Sequence, residues 1–311
     1  MANIKICVIG AGKWGKNHVK TLSQLDSLGG ILDIDKKQLR NFKELFPNIN
    51  LIHSIDDALK KDFDGYIIAT PPSTHYELAK KILFKKKPVL VEKPLATSVK
   101  QGLKIRSIVN ELNGRLVVGH LLLFHPAIIK MKKIIEEGVI GEIKYLYSNR
   151  LNMGVVRDDE NVFWSLAPHD IALFQFFINS FPTKVQNEGT AFINKKINDI
   201  SLCKIRYNNN VSGHIFASWF HPFKEHRFII IGSKGILHFE DAKDKKPLLL
   251  YKNDSLNKKT PPSIVKYGYE LPLTNELKHF IKIIKGESIS KGNIDEAIDV
   301  LKILEMGTKY T

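Results

Sequence analysis

Short, almost unbroken apolar runs alternate with longer amphipathic stretches over the first third of the chain. Residues 4–9, 30–32, 65–69, 89–91 and 116–118 are the runs, and residues 12–25, 36–46, 75–84 and 99–112 between them repeat apolar positions at helical spacing. A strand that is apolar at every position has no face to offer water, so helices must cover both faces of its sheet. The β-α-β-α order therefore predicts a parallel sheet in an α/β unit.

The pattern changes near residue 120. Residues 142–153 alternate, 201–207 and 211–219 flank an Asn208-Asn209-Asn210 turn, and 228–231 pairs naturally with 236–239 across Gly232-Ser233-Lys234-Gly235. These signals predict an open, mostly antiparallel sheet. Helical stretches at 125–137, 170–178, 275–284 and 295–306 complete an α+β half, and the Pro- and Lys-rich residues 254–262 read as a long surface loop. The predicted division is an α/β domain over 1–119, an α+β domain over 120–292, and a helix at about 293–311 that packs back near the first domain.

Composition narrows the class. With 311 residues, 43% hydrophobic and 25% charged, the chain is long enough for two cored domains, and disorder or a repeat array fits poorly. No apolar run approaches the roughly 18 residues of a membrane span, because His120 and His125 interrupt the best candidate. The N-terminus enters the first strand pattern without a charged-then-apolar leader, so the expectation is a soluble, cytoplasmic protein. Cys7 and Cys203 lie far apart in strand-like stretches without metal-type spacing and read as core thiols; no metal site is expected. The net charge of +15 invites a nucleic-acid reading. Against it, few of the basic residues are arginine, and Lys85-Lys86-Lys87 and the cluster at 243–246 carry no interleaved aromatics.

The first motif with chemistry is Gly10-Ala11-Gly12-Lys13-Trp14-Gly15, a G-x-G-x-x-G that follows a buried strand and opens a helix. Gly10 permits the tight turn, Gly12 lets the backbone approach a pyrophosphate, and Gly15 lets helix and strand pack while the helix N-terminus faces the anion. Lys13 and Trp14 belong to the same cofactor-facing turn, where Trp14 packs either near the dinucleotide or against its own helix. Asp33, at the end of the second strand, suits the adenosine ribose hydroxyls and would repel a 2′-phosphate. NAD is thus favoured over NADP, with Lys36 and Lys37 softening the preference.

Ala69-Thr70-Pro71-Pro72-Ser73-Thr74-His75 and Val91-Glu92-Lys93-Pro94 end two further strands, at the edge where such sheets bind ligands. With Trp164-Ser165-Leu166-Ala167-Pro168-His169-Asp170 they make the chain resemble, over essentially its whole length, the Gfo/Idh/MocA family of nicotinamide-dependent oxidoreductases. The resemblance implies a Rossmann domain followed by an open-sheet domain that covers the nicotinamide and holds a sugar or polyol. It adds Thr70, Pro71, His75, Glu92 and Lys93 to the cofactor contacts and makes Lys93 and His169 the catalytic pair. Hydride transfer at a carbinol carbon needs a group that exchanges the hydroxyl proton and a cation that steadies the oxygen. His169 is assigned the proton and Lys93 the oxygen, with roles that can exchange. Many family members carry an aspartate where this chain has Ser165, which shifts weight onto Lys93. Pro168 reads as the first helical residue, and Asp170 as an acid satisfying helix N-terminal amides.

The segment 157–164, with 12–17 and 120–126, is similar to family members that act on nucleotide-linked sugars. Arg157, Asn161, Trp164 and Lys224 join Lys93 and His169 as substrate-binding candidates; Arg157 reads equally as a phosphate contact or as a partner for Asp158 and Asp159. His120 and His125 read as satisfied core or strand-end histidines. The expected function is NAD-dependent oxidation of a ring hydroxyl, or reduction of the keto form, in a nucleotide-activated sugar. By resemblance the position is C3 of an N-acetylated hexose such as UDP-GlcNAc, in surface-polysaccharide or lipopolysaccharide biosynthesis. The alternatives are a glycosidase using bound NAD for transient oxidation and a non-catalytic dinucleotide-binding regulator. A homodimer or homotetramer through the open sheet is expected; nucleic acid and membrane are not.

Overall fold

The computed structural model describes residues 4–154, 156–158, 160–252 and 260–308. Of the loop expected at 254–262, residues 254–259 lie outside the described residues, as do Val155 and Asp159. The chain forms two compact units, one holding the residues up to Leu121 together with Leu271–Leu301, the other Leu122–Glu270 and the residues from Lys302.

The first unit is built on six parallel strands: β1 (Ile6–Ile9), β2 (Leu28–Leu32), β3 (Asn50–Ile52), β4 (Gly65–Ile68), β5 (Val89–Glu92) and β6 (Leu116–Gly119), in the order β3-β2-β1-β4-β5-β6. Every position of β1, β4, β5 and β6 is buried, as continuous apolar runs demand. The connecting helices are α1 (Gly15–Gln24), α2 (Lys36–Leu45), α3 (Ile55–Ala58), α4 (His75–Phe84) and α5 (Val99–Leu112). Strand β3 and helix α3 are three and four residues long, too short for a period to show in the sequence. Strand order reverses between β1 and β4, which places the ligand crevice of such a sheet at their carboxyl ends.

A sixth helix belongs here as well. Helix α8 (Pro272–Ile284; α6 and α7 lie in the second unit) sets Leu277, Phe280 and Ile283 into the same core as Val19 and Leu22 of α1 and Ile67 and Leu90 of the sheet. Each such fully buried side chain contributes roughly 1.5–3 kcal/mol. Residues 271–292 therefore fold with the first unit and not, as the pattern suggested, with the second; their amphipathic period shows an apolar face without showing what covers it. Helix α9 (Ile294–Thr308) follows, and its Ile298 and Leu301 lie against Gly102 of α5.

The second unit carries helices α6 (Pro126–Glu136) and α7 (Val162–Ile178) and strands β7 (Ile143–Met153), β8 (Lys184–Thr190), β9 (Ile200–Arg206), β10 (Ser212–Ser218), β11 (Phe220–Gly232), β12 (Gly235–Glu240), β13 (Leu248–Lys252) and β14 (Ser263–Ile264). Their order is β14-β13-β12-β11-β7-β10-β9-β8, antiparallel throughout except for the parallel β7–β10 pair. Alternating burial along β9 and β10 gives this sheet one covered face and one open face.

Candidate active site

The turn after β1 is shaped by its glycines. Gly10 has φ +92°, and a Cβ there would stand 2.8 Å from the Ala69 carbonyl oxygen; a Cβ on Gly15 would lie 1.8 Å from the carbonyl oxygen of Gly10. Only glycine allows α1 to start so close to β1 and β4. A Cβ on Gly12 would meet nothing within 4 Å, so that backbone is open to an incoming group. Helix α1 starts at Gly15, three residues later than the pattern suggested, with no side-chain cap and no acid in its first turn. Its positive end is left for an anion. The Asp33 carboxylate accepts from the backbone N–H of Ala11 at 2.7 Å and of Asp35 at 2.8 Å, which ties the end of β2 to the glycine turn. Open backbone, uncapped helix and half-buried acid fit a dinucleotide.

Glu92, the last residue of β5, has its carboxylate held from α1. Its Oε1 accepts from the Trp14 indole N–H and lies 2.6 Å from His18 Nε2, while the Lys93 backbone N–H approaches Oε2 at 3.3 Å. Burial pushes this acid up, but the bonds from His18 and Trp14 and the charge of Lys93 outweigh it and hold Glu92 below the usual carboxylate range. The Trp14 ring is 39% exposed, and its indole N–H is engaged by Glu92 of β5, a bond that neither reading of Trp14 included. Motif reading missed His18. Its signal was its place four residues after Trp14, on the same helix face, opposite a strand-end carboxylate. Lys93 itself is half-buried, and Lys13 is exposed.

Thr70 and Pro71 stand at the end of β4, where the Thr70 and Thr74 hydroxyls lie 2.6 Å apart and Thr74 donates to the Pro71 carbonyl at 2.8 Å. His75 departs from its expected role as a cofactor contact. It is 0% exposed, with Nε2 2.8 Å from the Thr70 carbonyl and Nδ1 2.9 Å from the Pro94 carbonyl. Burial lowers its pKa, and a neutral ring donates to one of the two carbonyls. His75 thus pins together the turns that carry Thr70 and Lys93.

In the second unit α7 starts eight residues before Asp170. Asn161 is its N-cap, with Oδ1 accepting from the Trp164 backbone N–H at 3.0 Å, and Pro168 lies inside the helix instead of opening it. Proline there removes the amide that would donate to the Trp164 carbonyl; burial of Val162, Phe163 and Ala167 offsets that loss. The amides at position 170 are already within the helix, so Asp170 does not serve the N-terminus. Fully buried, it accepts from Arg150 Nε at 2.7 Å, Arg150 Nη2 at 2.9 Å and Ser148 Oγ at 2.5 Å. His169 is half-buried on α7, with Ser165 one turn before it.

Three substrate candidates have protein partners. The Trp164 indole N–H donates to Thr308 Oγ1 at 2.9 Å, Asn161 caps the helix, and Arg157 pairs with Glu160 at 2.7 Å while remaining 46% exposed. Lys224 is exposed in the irregular part of β11, between the residues paired to β7 at Phe220 and Glu225. His125 is satisfied as expected, its Nδ1 accepting from the Ala127 N–H at 3.1 Å. His120 is not: both ring nitrogens are buried without a partner among the described residues. Cys7 and Cys203 are buried free thiols, both pushed up by desolvation.

Residues 4–120 match the family described as the oxidoreductase family with an NAD-binding Rossmann fold, and residues 128–238 match the GFO/IDH/MocA C-terminal domain. The chain belongs to the Gfo/Idh/MocA oxidoreductases, and its first unit is their NAD-binding domain. Among curated proteins it is 27% identical to the uncharacterized oxidoreductase YrbE of Bacillus subtilis over 60% of this chain and 57% of that one. It is 25% identical to UDP-N-acetylglucosamine 3-dehydrogenase of Acidithiobacillus ferrooxidans over 70% and 68% of the two chains. To the inositol 2-dehydrogenase of Mycolicibacterium gilvum it is 28% identical over 50% and 46%. The chain thus spans about half to two thirds of the length of these relatives. Among solved structures, UDP-N-acetylglucosamine 3-dehydrogenase GnnA from Acidithiobacillus ferrooxidans superposes with TM-score 0.89 at 21% identity, covering 100% of this chain and 98% of that one. The WlbA dehydrogenase from Bordetella pertussis, solved with NADH and UDP-GlcNAcA, superposes with TM-score 0.82 at 19% identity, covering 99% and 96%. No helix among the described residues is long and apolar enough to cross a membrane.

Proposed function

We propose that this oxidoreductase transfers hydride between NAD(H) and a ring hydroxyl or keto group of a nucleotide-activated sugar, C3 of an N-acetylated hexose such as UDP-GlcNAc being the first choice. The observation that carries the reading is the placement of Lys93: it follows a carboxylate clamped by Trp14, just before α1, and His18, within it, and the uncapped start of that helix offers itself to a pyrophosphate. The resemblance of the chain to a UDP-N-acetylglucosamine 3-dehydrogenase supports the substrate class. Bound NAD would supply the hydride acceptor or donor. Gly10, Gly12, Lys13 and Gly15 would hold its pyrophosphate and Asp33 its ribose, which favours NAD over NADP; Thr70, Pro71 and the turn of Glu92 and Lys93 would flank the rest. Lys93 steadies the substrate oxygen as negative charge develops on it, and His169 exchanges the hydroxyl proton. Arg157 and Lys224, two exposed cations of the second unit, are the candidates for the diphosphate. We place this activity in the cytoplasm, within surface-polysaccharide biosynthesis, in an enzyme that self-associates through its open sheet.

The test is anaerobic incubation of the protein and NAD⁺ with UDP-GlcNAc, other UDP- and dTDP-sugars, and free inositol as control, following the absorbance of reduced nicotinamide. Turnover with a UDP-sugar that falls about a thousandfold or more in Lys93→Met is expected. A strong preference for free inositol would replace the nucleotide-sugar reading, and full turnover by Lys93→Met would remove Lys93 from the chemistry.

A further inference from the structure

Trp14 belongs to two structures at once. Its backbone is part of the glycine turn, one residue before α1, where the helix has no side-chain cap. Its side chain leaves that turn: the indole N–H donates to Oε1 of Glu92, 78 positions away at the end of β5. The same oxygen lies 2.6 Å from His18 Nε2, and the Trp14 and His18 rings meet edge to face with centroids 6.2 Å apart. Exposure falls from 39% at Trp14 through 9% at Glu92 to 0% at His18, so the cluster runs inward from the surface of the turn.

The Glu92 carboxylate has little room to move. Against it lies β6, where a Cβ on Gly119, the residue paired with Glu92, would stand 3.1 Å from Oε2 and 3.3 Å from Oε1. Oε2 accepts from the Lys93 backbone N–H at 3.3 Å, and His75 Nδ1 lies 2.9 Å from the Pro94 carbonyl oxygen. The turn that carries Lys93 is thus held on one side from the start of α1 and on the other from His75 at the start of α4. A shift of the Trp14 ring has to be answered at Glu92, because a buried carboxylate that gives up a donor loses the bond and keeps the cost of desolvation.

We propose that Trp14 is a positioning residue that couples the dinucleotide site to Lys93: a dinucleotide settling on the glycine turn tightens the bond from Trp14 to Glu92, and the tightened carboxylate sets the turn of Lys93. The proposal rests on the reading that Lys93 acts on the substrate oxygen. Such coupling is reciprocal. Whatever the dinucleotide does for the bond, the bond does for the affinity of the dinucleotide. A bond equally strong in the free and the bound protein adds to stability and leaves that affinity untouched, which separates a coupling residue from a merely structural one.

The experiment is a double-mutant cycle read as NADH affinity by calorimetry, on the wild-type protein, Trp14→Phe, Glu92→Met and the pair. Phenylalanine keeps an aromatic ring and removes the donor; methionine fills the space of glutamate and removes the acceptor. Any contact of the indole ring with the dinucleotide is lost in both Glu92 backgrounds and cancels. Trp14→Phe is expected to weaken NADH about tenfold where Glu92 is present and less than about twofold in Glu92→Met. Equal weakening in the two backgrounds, whatever its size, would overturn the proposal. Should Glu92→Met not fold, Glu92→Gln takes its place and removes the charge from the bond; the loss on Trp14→Phe should then be at least about threefold smaller than in the wild type, and an undiminished loss would overturn the proposal. The second arm measures kcat at saturating NAD⁺ with the UDP-sugar that turns over in the assay above. Trp14→Phe should lower kcat about tenfold beside Lys93 and less than about twofold in Lys93→Met, since residues that act as one unit are not additive. Equal losses there would likewise overturn the proposal. Full activity in Lys93→Met would instead defeat the reading of Lys93, whereas the NADH cycle reports on Trp14 and Glu92 whatever Lys93 does.

Discussion

Gly12 and Gly15 stand three residues apart and carry separate burdens. Glycine at 12 leaves room for something that approaches from outside, and glycine at 15 leaves room for the protein itself. Gly12→Ala should keep the thermal midpoint within about 1 °C while weakening NAD(H) by about tenfold or more in a fluorescence titration. Gly15→Ala drives a methyl group into the Gly10 carbonyl and should cost about 3 kcal/mol or more in urea unfolding. Equal loss of stability in the two variants would refute this division. The fingerprint was legible because its demands are local: turn, strand and helix all lie within a dozen residues. His18 and His75 were not, since each takes its meaning from a partner brought near only by the sheet, as when His18 meets Glu92 across 74 positions and His75 meets the Pro94 carbonyl across 19. Asp170 was misread for the same reason, its partner Arg150 lying on another element.

Elements announced themselves in proportion to their length and period. The continuous runs of β1, β4, β5 and β6 and the alternation along β7 are visible in the sequence because burial on two faces or one writes itself into every position. The start of α7 was hidden by Pro168, which is common at a first helical position and costly inside a helix. What the helix gains by extending back to Val162 is a buried apolar face, a cap from Asn161 and the seat of Asp170 against β7. That seat gives a sharp expectation. Asp170→Asn leaves the buried Arg150 guanidinium without its counter-charge and should lower stability by about 3–5 kcal/mol, read as a shift of the urea midpoint. A shift below 1 kcal/mol would mean that the pair does not anchor α7.

Across the whole molecule, buried histidines set the response to acid. His120, His125 and His226 have their pKa lowered to about 4, chiefly by desolvation, against an ordinary value of 6.5. Between those values the unfolded chain binds protons that the folded one refuses, so stability should fall as pH drops from about 6.5 to 4, by up to about 3 kcal/mol for fully buried His120 alone. Glu276 has the opposite sign: its raised pKa erodes stability as pH climbs above the ordinary glutamate value. Urea midpoints measured against pH should therefore peak between these two losses, and His120→Leu should flatten the acid side. The division into two units was legible in the change of grammar near residue 120, but the return of the chain to the first unit at Leu271 was not, because an amphipathic helix does not name its partner. That return has a consequence during synthesis. The glycine-fingerprint sheet leaves the ribosome early, yet the helix that seals one side of it follows only after the 149 residues of Leu122–Glu270. At translation rates of about 5–20 residues per second the nascent sheet waits roughly seven to thirty seconds with that apolar flank bare, a natural docking point for a chaperone.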